Sequence, residues 1–403
     1  MSHKGDRVNI CIVGKTNTGK SSLINALTGQ SISIVSPHPG TTTDSVTKVY
    51  ELIPVGPVTF HDTAGYDDQS ELGKLRIKAT EKSMWKSDIV ILLLDERPVN
   101  DFDIHFLTRI QGKKVPYLIV QNKSDLPEHQ LIAENQEMIN EEIIPVSSVN
   151  NSQIELLKEK LIQKISGIYE QRPTITEGLI KANDAVILSI PIDSSAPKGR
   201  IILPQVQVLR EILDLNAVAI CAQPAEIPAM LQKMGNHADL VITDSQCVEL
   251  INQIVPDPIK ITTFSILMAN YKGELDVMLQ GLDALTHLQD GDKVLIAEAC
   301  SHHVQCDDIG RHKIPKLLEK FTDKKIQFSF VNAYDFPEDL ETYQLVIHCG
   351  ACMISFREMK RRINECQRLN VPITNYGLLI SKTQGVLDRA VKIYSKNNEG
   401  NNS

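Results

Sequence analysis

The sequence has 403 residues, 42% hydrophobic and 23% charged, with 42 Lys plus Arg against 50 Asp plus Glu and a net charge of −8. That length suits two or three domains, and that composition excludes a disordered tail protein, a collagen and a disulfide miniprotein. The acidic balance weighs against a general nucleic-acid binder, whose affinity rests on neutralised phosphates.

The longest apolar runs, such as Ile89–Leu94, are too short to span a bilayer. Residues 1–7 lack the apolar stretch of a secretion signal. A cytoplasmic protein with no membrane and no nucleic-acid partner is expected. Its eight cysteines are then mostly thiols, and half of them fall between 300 and 352, which points to a metal site.

In chain order, 8–13, 58–61, Ile89–Leu94, 117–120 and 143–146 are short β-rich runs separated by helical patterns. They predict buried strands of a mostly parallel sheet. Residues 171–178 carry the Pro, Thr and Gly of a linker, so a first domain of 1–172 is expected. In a second unit, 173–261, the strand-like runs are 185–190, 217–221, Leu240–Thr243 and 261–267. Between them 206–215, 226–234 and 247–254 have helical apolar spacing. This unit holds no phosphate loop or clustered catalytic set, and its expected use is assembly into a homodimer. A third unit, 262–403, has 294–297, 326–330 and 345–347 as its clearest strands and a polar end at 395–403. The α/β pattern recurs without a defensible sequence repeat.

Gly14-Lys15-Thr16-Asn17-Thr18-Gly19-Lys20-Ser21, followed by Ser22, fits G-x-x-x-x-G-K-[ST] between a strand and a helical pattern. Such a loop wraps backbone N–H groups around phosphate oxygens at a helix N-terminus. Lys20 would reach the β- and γ-phosphates and Ser21 would ligate Mg²⁺. Three further motifs follow in order. Asp62-Thr63-Ala64-Gly65 can hold Mg²⁺ through water and sense the γ-phosphate with the Gly65 amide. Asn122-Lys123-Ser124-Asp125 can read guanine through the Asp125 carboxylate, with Ser147 and Ser148 in the last base-side loop. In Pro39-Gly40-Thr41-Thr42-Thr43-Asp44, Thr42 can complete the Mg²⁺ shell. The set resembles the translation-factor-like GTPases, in the branch with Gly-Thr-Thr in the first switch and Asn in the phosphate loop. Tyr66 stands where Ras-like proteins place a water-orienting glutamine, so hydrolysis should be slow. Asn17 matches the asparagine that in this branch helps bind an activating K⁺; its alternative role is to stabilise the turn. The expected fold class is α/β, a P-loop GTPase domain followed by two smaller α/β domains.

Cys300-Ser301-His302-His303 follows one strand and His348-Cys349-Gly350-Ala351-Cys352 another, both at the carboxyl ends where open α/β sheets place sites. Cys300, Cys349 and Cys352 offer three soft ligands, with His302 or His348 as candidate fourth. Buried thiols, a Cys₃His zinc site and an iron–sulfur cluster on three cysteines all fit this spacing. His303 and Cys306 stand outside the core pattern; Cys11 and Cys366 are expected to be structural.

A GTPase carrying C-x-H, a long gap and then H-C-x-x-C resembles the HydF family of FeFe-hydrogenase maturation factors over essentially the whole chain. The resemblance implies a 4Fe–4S cluster on Cys300, Cys349 and Cys352 with an exchangeable fourth position. It implies a scaffold or carrier that holds a diiron precursor as transient cargo and delivers it to apo-FeFe-hydrogenase. The radical-SAM maturases HydE and HydG contribute to that precursor, and GTP hydrolysis modulates partner exchange. The alternative is a zinc-containing regulatory GTPase of RNA modification or ribosome assembly, which the absence of a basic, aromatic-interleaved strip weighs against.

Overall fold

The computed structural model describes residues 7–29, 46–67, 77, 79–81, 83, 84, 86–112, 114–126, 132–169, 173–192, 198, 199, 201–299, 309–332, 336, 337 and 339–394. Thr42 with its loop, Cys300, His302, His303 and Cys306 lie outside the described residues. The chain forms two compact units, Met1–Arg172 and Pro173–Ser403.

In the first unit the described strands are β1 (Val8–Gly14), β2 (Val46–Leu52), β3 (Gly56–Asp62), β4 (Ile89–Leu94), β5 (Tyr117–Gln121) and β6 (Ile143–Pro145). They lie in the order β2-β3-β1-β4-β5-β6, with β2 antiparallel to β3 and every other pair parallel. Continuous apolar runs such as Ile89–Leu94 can sit only where both faces are covered. One face carries Ile10 and Ile12 against Leu23 and Leu27 of helix Lys20–Thr28 and Leu157 and Leu161 of helix Ile154–Tyr169. The other carries Val13 and Leu92 against Phe106 and Ile110 of helix Asp101–Gly112.

The second unit contains two four-stranded sheets. The first is built of β7 (Ala185–Ser189), β8 (Val218–Ala222), β9 (Leu240–Thr243) and β10 (Lys260–Thr263), in the order β10-β9-β7-β8. The second is built of β11 (Lys293–Ala297), β12 (Gln327–Val331), β13 (Leu345–His348) and β14 (Ile373–Asn375), in the order β12-β11-β13-β14. All pairs in both are parallel. Numbered within its own half, each sheet therefore has the strand order 2-1-3-4. The likeness extends to sequence once the strands are matched by their place in the order. Leu240-Val241-Ile242 corresponds to Leu345-Val346-Ile347, and Ile261-Thr262 leads to Gly273 as Ile373-Thr374 leads to Gly385. A helix follows directly in each case, Phe264–Lys272 and Tyr376–Thr383, capped by Thr263 and Asn375 side chains. The α/β recurrence seen in the sequence is thus a repeated module.

Two sequence expectations need correction. Residues 261–267, expected as a strand, divide into the end of β10 and the first turn of helix Phe264–Lys272. The Thr263 hydroxyl accepts the Ile266 N–H at 3.1 Å and starts the helix there. The boundary expected between 261 and 262 falls inside β10, which pairs with β9.

Candidate functional site

The phosphate loop leaves the end of β1 and enters helix Lys20–Thr28 through Gly19, whose φ of 89° is left-handed. A side chain at Gly19 would strike Asn122 Nδ2, so the crossing of these loops needs glycine. Asn122 ties three loops together. Its Nδ2 donates to Thr18 O at 3.0 Å, and its Oδ1 accepts from Ser148 N at 3.1 Å and Ser148 Oγ at 2.9 Å. Lys123 pairs with Glu96 at 2.7 Å, Ser147 is buried, and Asp125 is exposed at the rim. Gly14, Lys15, Thr16, Asn17, Thr18, Gly19, Lys20, Ser21, Asp62, Gly65 and the base-side residues thus gather at the carboxyl end of one sheet.

The polar side chains of the loop have partners within the chain. Lys20 Nζ donates to Gly14 O at 3.0 Å and Lys15 O at 2.7 Å. Ser21 Oγ donates to Asp62 Oδ2 at 2.5 Å. Burial lowers the Lys20 ammonium and raises the Asp62 carboxyl from their usual values. A phosphate and a divalent cation between them would stabilise both charged forms. Gly65 packs on Thr16, where a Cβ would overlap the Thr16 backbone. Asp67 Oδ1 accepts from Thr16 N and Thr16 Oγ1, each at 2.7 Å, while Arg97 Nη2 donates to Thr16 O at 3.0 Å. Arg97 is itself gripped by the Asp95 carboxylate.

Tyr66 is fully buried. Its ring stacks on Phe106 with centroids 4.2 Å apart, and its hydroxyl donates to Asp103 Oδ1 at 2.6 Å. Lys15 Nζ meets the other oxygen, Asp103 Oδ2, at 2.8 Å. Lys15, predicted in the nucleotide site, therefore lends it only backbone, and its side chain serves this buried triad. Burial and the Asp103 carboxylate hold the Tyr66 hydroxyl well above its usual value, so it stays a proton donor. Asn17 has φ of 66°, a left-handed turn position that asparagine tolerates.

A second polar site lies at the crest of β11 and β13, the neighbouring strands at which the strand order reverses. Ala297 and His348 are register partners there. Ala299 N–H donates to Cys349 Sγ at 3.0 Å, so the segment leading into Cys300 passes beside Cys349. Cys349 and Cys352 are joined by a turn in which Ala351 has φ of 55°. Burial, with Cys352 nearby, pushes the Cys349 thiol up to about 12. A metal ion would reverse that by binding the thiolate. Among the described residues alone no group of three potential ligands forms; Cys349 and Cys352 are two of the predicted set, and Cys300 and His302 lie outside.

His348 is fully buried with both ring nitrogens engaged, Nδ1 at 2.9 Å from Cys349 O and Nε2 at 2.9 Å from Arg362 Nη1. Burial and the Arg362 charge push it down to about 3, so it is neutral, carrying its proton on Nδ1 and accepting at Nε2. Of its two predicted roles, these hydrogen bonds match the support of the cysteine turn. Arg362 Nε in turn donates to Glu358 Oε1 at 2.9 Å, and both charges are fully buried. The sequence reading missed Asp103, Asp67, Arg97, Glu358, Arg362 and Lys272; the signal available was charge inside otherwise apolar helix faces.

The comparisons with known proteins divide along the chain. Residues 9–123 match a family model described as 50S ribosome-binding GTPase. Residues 175–273 match the hydrogen maturase F dimerization domain, and 276–393 match the hydrogen maturase F tetramerization domain. Among curated relatives, GTPase Era of Clostridium botulinum is 33% identical over 169 residues, 39% of this chain and 55% of that protein. GTPase Era of a Thermoanaerobacter species is 29% identical over 270 residues, 60% of this chain and 86% of that protein. The chain spans about half the length of the Clostridium botulinum relatives it matches. Among solved structures, Era of Aquifex aeolicus bound to GDP and aluminium fluoride is 27% identical, with a TM-score of 0.33 over 39% of this chain and 56% of that one. The G domain of the Thermotoga maritima FeoB iron transporter is 25% identical, with a TM-score of 0.31 over 39% of this chain and 98% of that one. No described helix is long and apolar enough to cross a membrane. The Era matches show a GTPase and no more, whereas the two models specific to hydrogen maturase F together span more than half of the 403 residues. With a GTPase domain ahead of both, the chain belongs to the hydrogen maturase F family, the GTPases of hydrogenase maturation.

Proposed function

We propose that this maturase is a scaffold that carries a diiron precursor at a 4Fe–4S site and hands it to apo-FeFe-hydrogenase, with GTP hydrolysis timing the exchange of partners. The observation that carries the reading is the 3.0 Å approach of Ala299 N–H to Cys349 Sγ. It brings the chain entering Cys300 to the turn that bears Cys349 and Cys352. Those three cysteines would hold the cluster, and once bound it supplies an iron with a replaceable coordination position. The chain's own part is to shape that position. The Ala299 N–H is a donor to sulfur, and His348 is held by Arg362 beside the turn. HydE and HydG are the partners that would load the cargo. A second copy of the chain would pair through the dimerization domain, where edge strand β8 leaves Val218 and Cys221 exposed.

In the GTPase domain the Ser21–Asp62 hydrogen bond marks where Mg²⁺ enters, with Thr42 as its further ligand and Lys20 on the phosphates. A cation held there would compete for the Ser21 and Asp62 oxygens of that bond, and Asp67, which accepts from Thr16 N, ties the segment after Asp62 to the phosphate loop. K⁺ beside Asn17 is expected to speed hydrolysis. Rates in KCl should exceed those in NaCl for the wild type, and Asn17→Gly, which keeps the left-handed turn, should lose the difference. Equal rates in the two salts would remove K⁺ from the mechanism.

The scaffold reading is tested by anaerobic reconstitution with iron and sulfide, followed by EPR of the reduced protein. The wild type should hold about four irons per chain with a low-spin cluster signal, and Cys349→Ala should lose or alter that signal. Tight zinc with no cluster signal would overturn the reading in favour of a zinc-containing GTPase, for which salt-dependent RNA binding is the next assay.

A further inference from the structure

The helix Phe264–Lys272 belongs to the first half of the second unit, yet both of its ends meet the cysteine turn of the second half. Near its start, Ser265 Oγ lies where a Cβ on Gly350 would come within 4.0 Å. At its end, Lys272 Nζ donates to Ala351 O at 3.1 Å and Ile354 O at 2.9 Å. Lys272 is only 2% exposed. An ammonium ion removed from water costs several kcal/mol unless hydrogen bonds and nearby negative charge offset it.

Ala351 supplies an independent observation. Its φ of 55° places a residue with a Cβ in the left-handed region, a conformation that costs roughly 1–2 kcal/mol and persists only where the surroundings enforce it. The residue so constrained is the one before Cys352, and its carbonyl is the one Lys272 grips. We propose that Lys272 is the positioning residue of the metal turn. Its ammonium holds Ala351 left-handed so that Cys349 and Cys352 face one centre, and its charge favours an anionic, thiolate-held group there. This inference rests on the metal-centre reading above and adds to it a residue of the dimerization domain. Counted from the matching Ile-Thr pairs of β10 and β14, the position equivalent to Lys272 in the repeated half is the uncharged Gln384.

The test uses the full chain reconstituted anaerobically with iron and sulfide. Two readouts are followed: iron retained against a chelator, and the midpoint potential from an EPR-monitored titration. Lys272→Met keeps the stem and removes the charge. It should lose iron about tenfold faster or more, the range seen when outer-shell partners are removed, and its potential should fall because reduction adds negative charge beside a lost cation. Adding Ala351→Gly, which adopts the left-handed turn freely, should restore much of the retention and none of the potential; a merely structural role of Lys272 predicts no such rescue. Lys272→Arg should keep the potential and retain iron less well, since one nitrogen no longer serves both carbonyls. If the methionine variant fails to fold, the arginine variant decides, and wild-type retention in it overturns the proposal. Wild-type retention and potential in Lys272→Met overturn it as well. A wild type that takes up no iron overturns the metal-centre reading and this inference with it.

Discussion

Asp103→Ala is expected to destabilise the Met1–Arg172 unit by about 3–5 kcal/mol, the usual cost of stripping one partner from a buried ion pair. Lys15 is 3% exposed and Asp103 fully buried, so the ammonium left behind has little solvent to turn to. The same carboxylate accepts the Tyr66 hydroxyl at 2.6 Å, which adds an orphaned phenol to the loss. Denaturant unfolding of the full chain, with amide exchange in β1 and β4 to localise the effect, measures it. Asp103→Asn should cost less, because the amide still accepts one hydrogen bond. The damage should also reach function. Lys15 lies in the phosphate loop and Tyr66 directly after Gly65, so Asp103 pins both segments of the proposed nucleotide site to helix Asp101–Gly112. Wild-type unfolding in Asp103→Ala would show the triad to be energetically idle.

Glu358→Ala should destabilise the second unit by a similar amount, about 3–5 kcal/mol. Arg362 and Glu358 are both fully buried one helical turn apart, and Arg362 also serves His348 Nε2. Removing the carboxylate leaves the guanidinium in the core without this counter-charge. The paired replacement Glu358→Leu with Arg362→Met should be much milder than the single one, since well-packed apolar residues often match a buried ion pair. It should nonetheless free the His348 ring, which then loses its acceptor role at Nε2. Denaturant unfolding of the three proteins distinguishes the cases, and equal losses in the single and double variants would contradict the argument.

The parts of the fold legible in the sequence were those with a strong local cause. Ile89–Leu94 is a continuous apolar run bounded by polar residues, and only a strand covered on both faces accommodates it. The phosphate loop is read from four residues at fixed spacing, Gly14, Gly19, Lys20 and Ser21. Strand β2 was missed because Val46–Leu52 places Thr47, Lys48 and Glu51 among its apolar residues without a two-residue period, and it lies on the sheet edge, with Val49 exposed. The helix Phe264–Lys272 was misread because it is buried nearly all round. Phe264, Ile266, Leu267 and Met268 give no 3.6-residue stripe. The cysteine turn was legible as a ligand pattern, but its supports were not. Arg362, Glu358 and Lys272 resemble ordinary solvent-facing charges until the packing shows each one enclosed.

The repeated 2-1-3-4 module gives the second unit an internal control. Where one crest has His348-Cys349-Gly350-Ala351-Cys352, its twin has Thr243-Asp244-Ser245-Gln246-Cys247, on a matching strand and before a helix that likewise packs on its sheet. Everything the two crests share is what the scaffold demands for folding. Everything in which they differ (two sulfurs in place of one, an imidazole locked by a guanidinium, a buried ammonium beneath the turn) is the increment that the proposed metal centre would draw on. A single polypeptide thus holds both a blank copy and a furnished one.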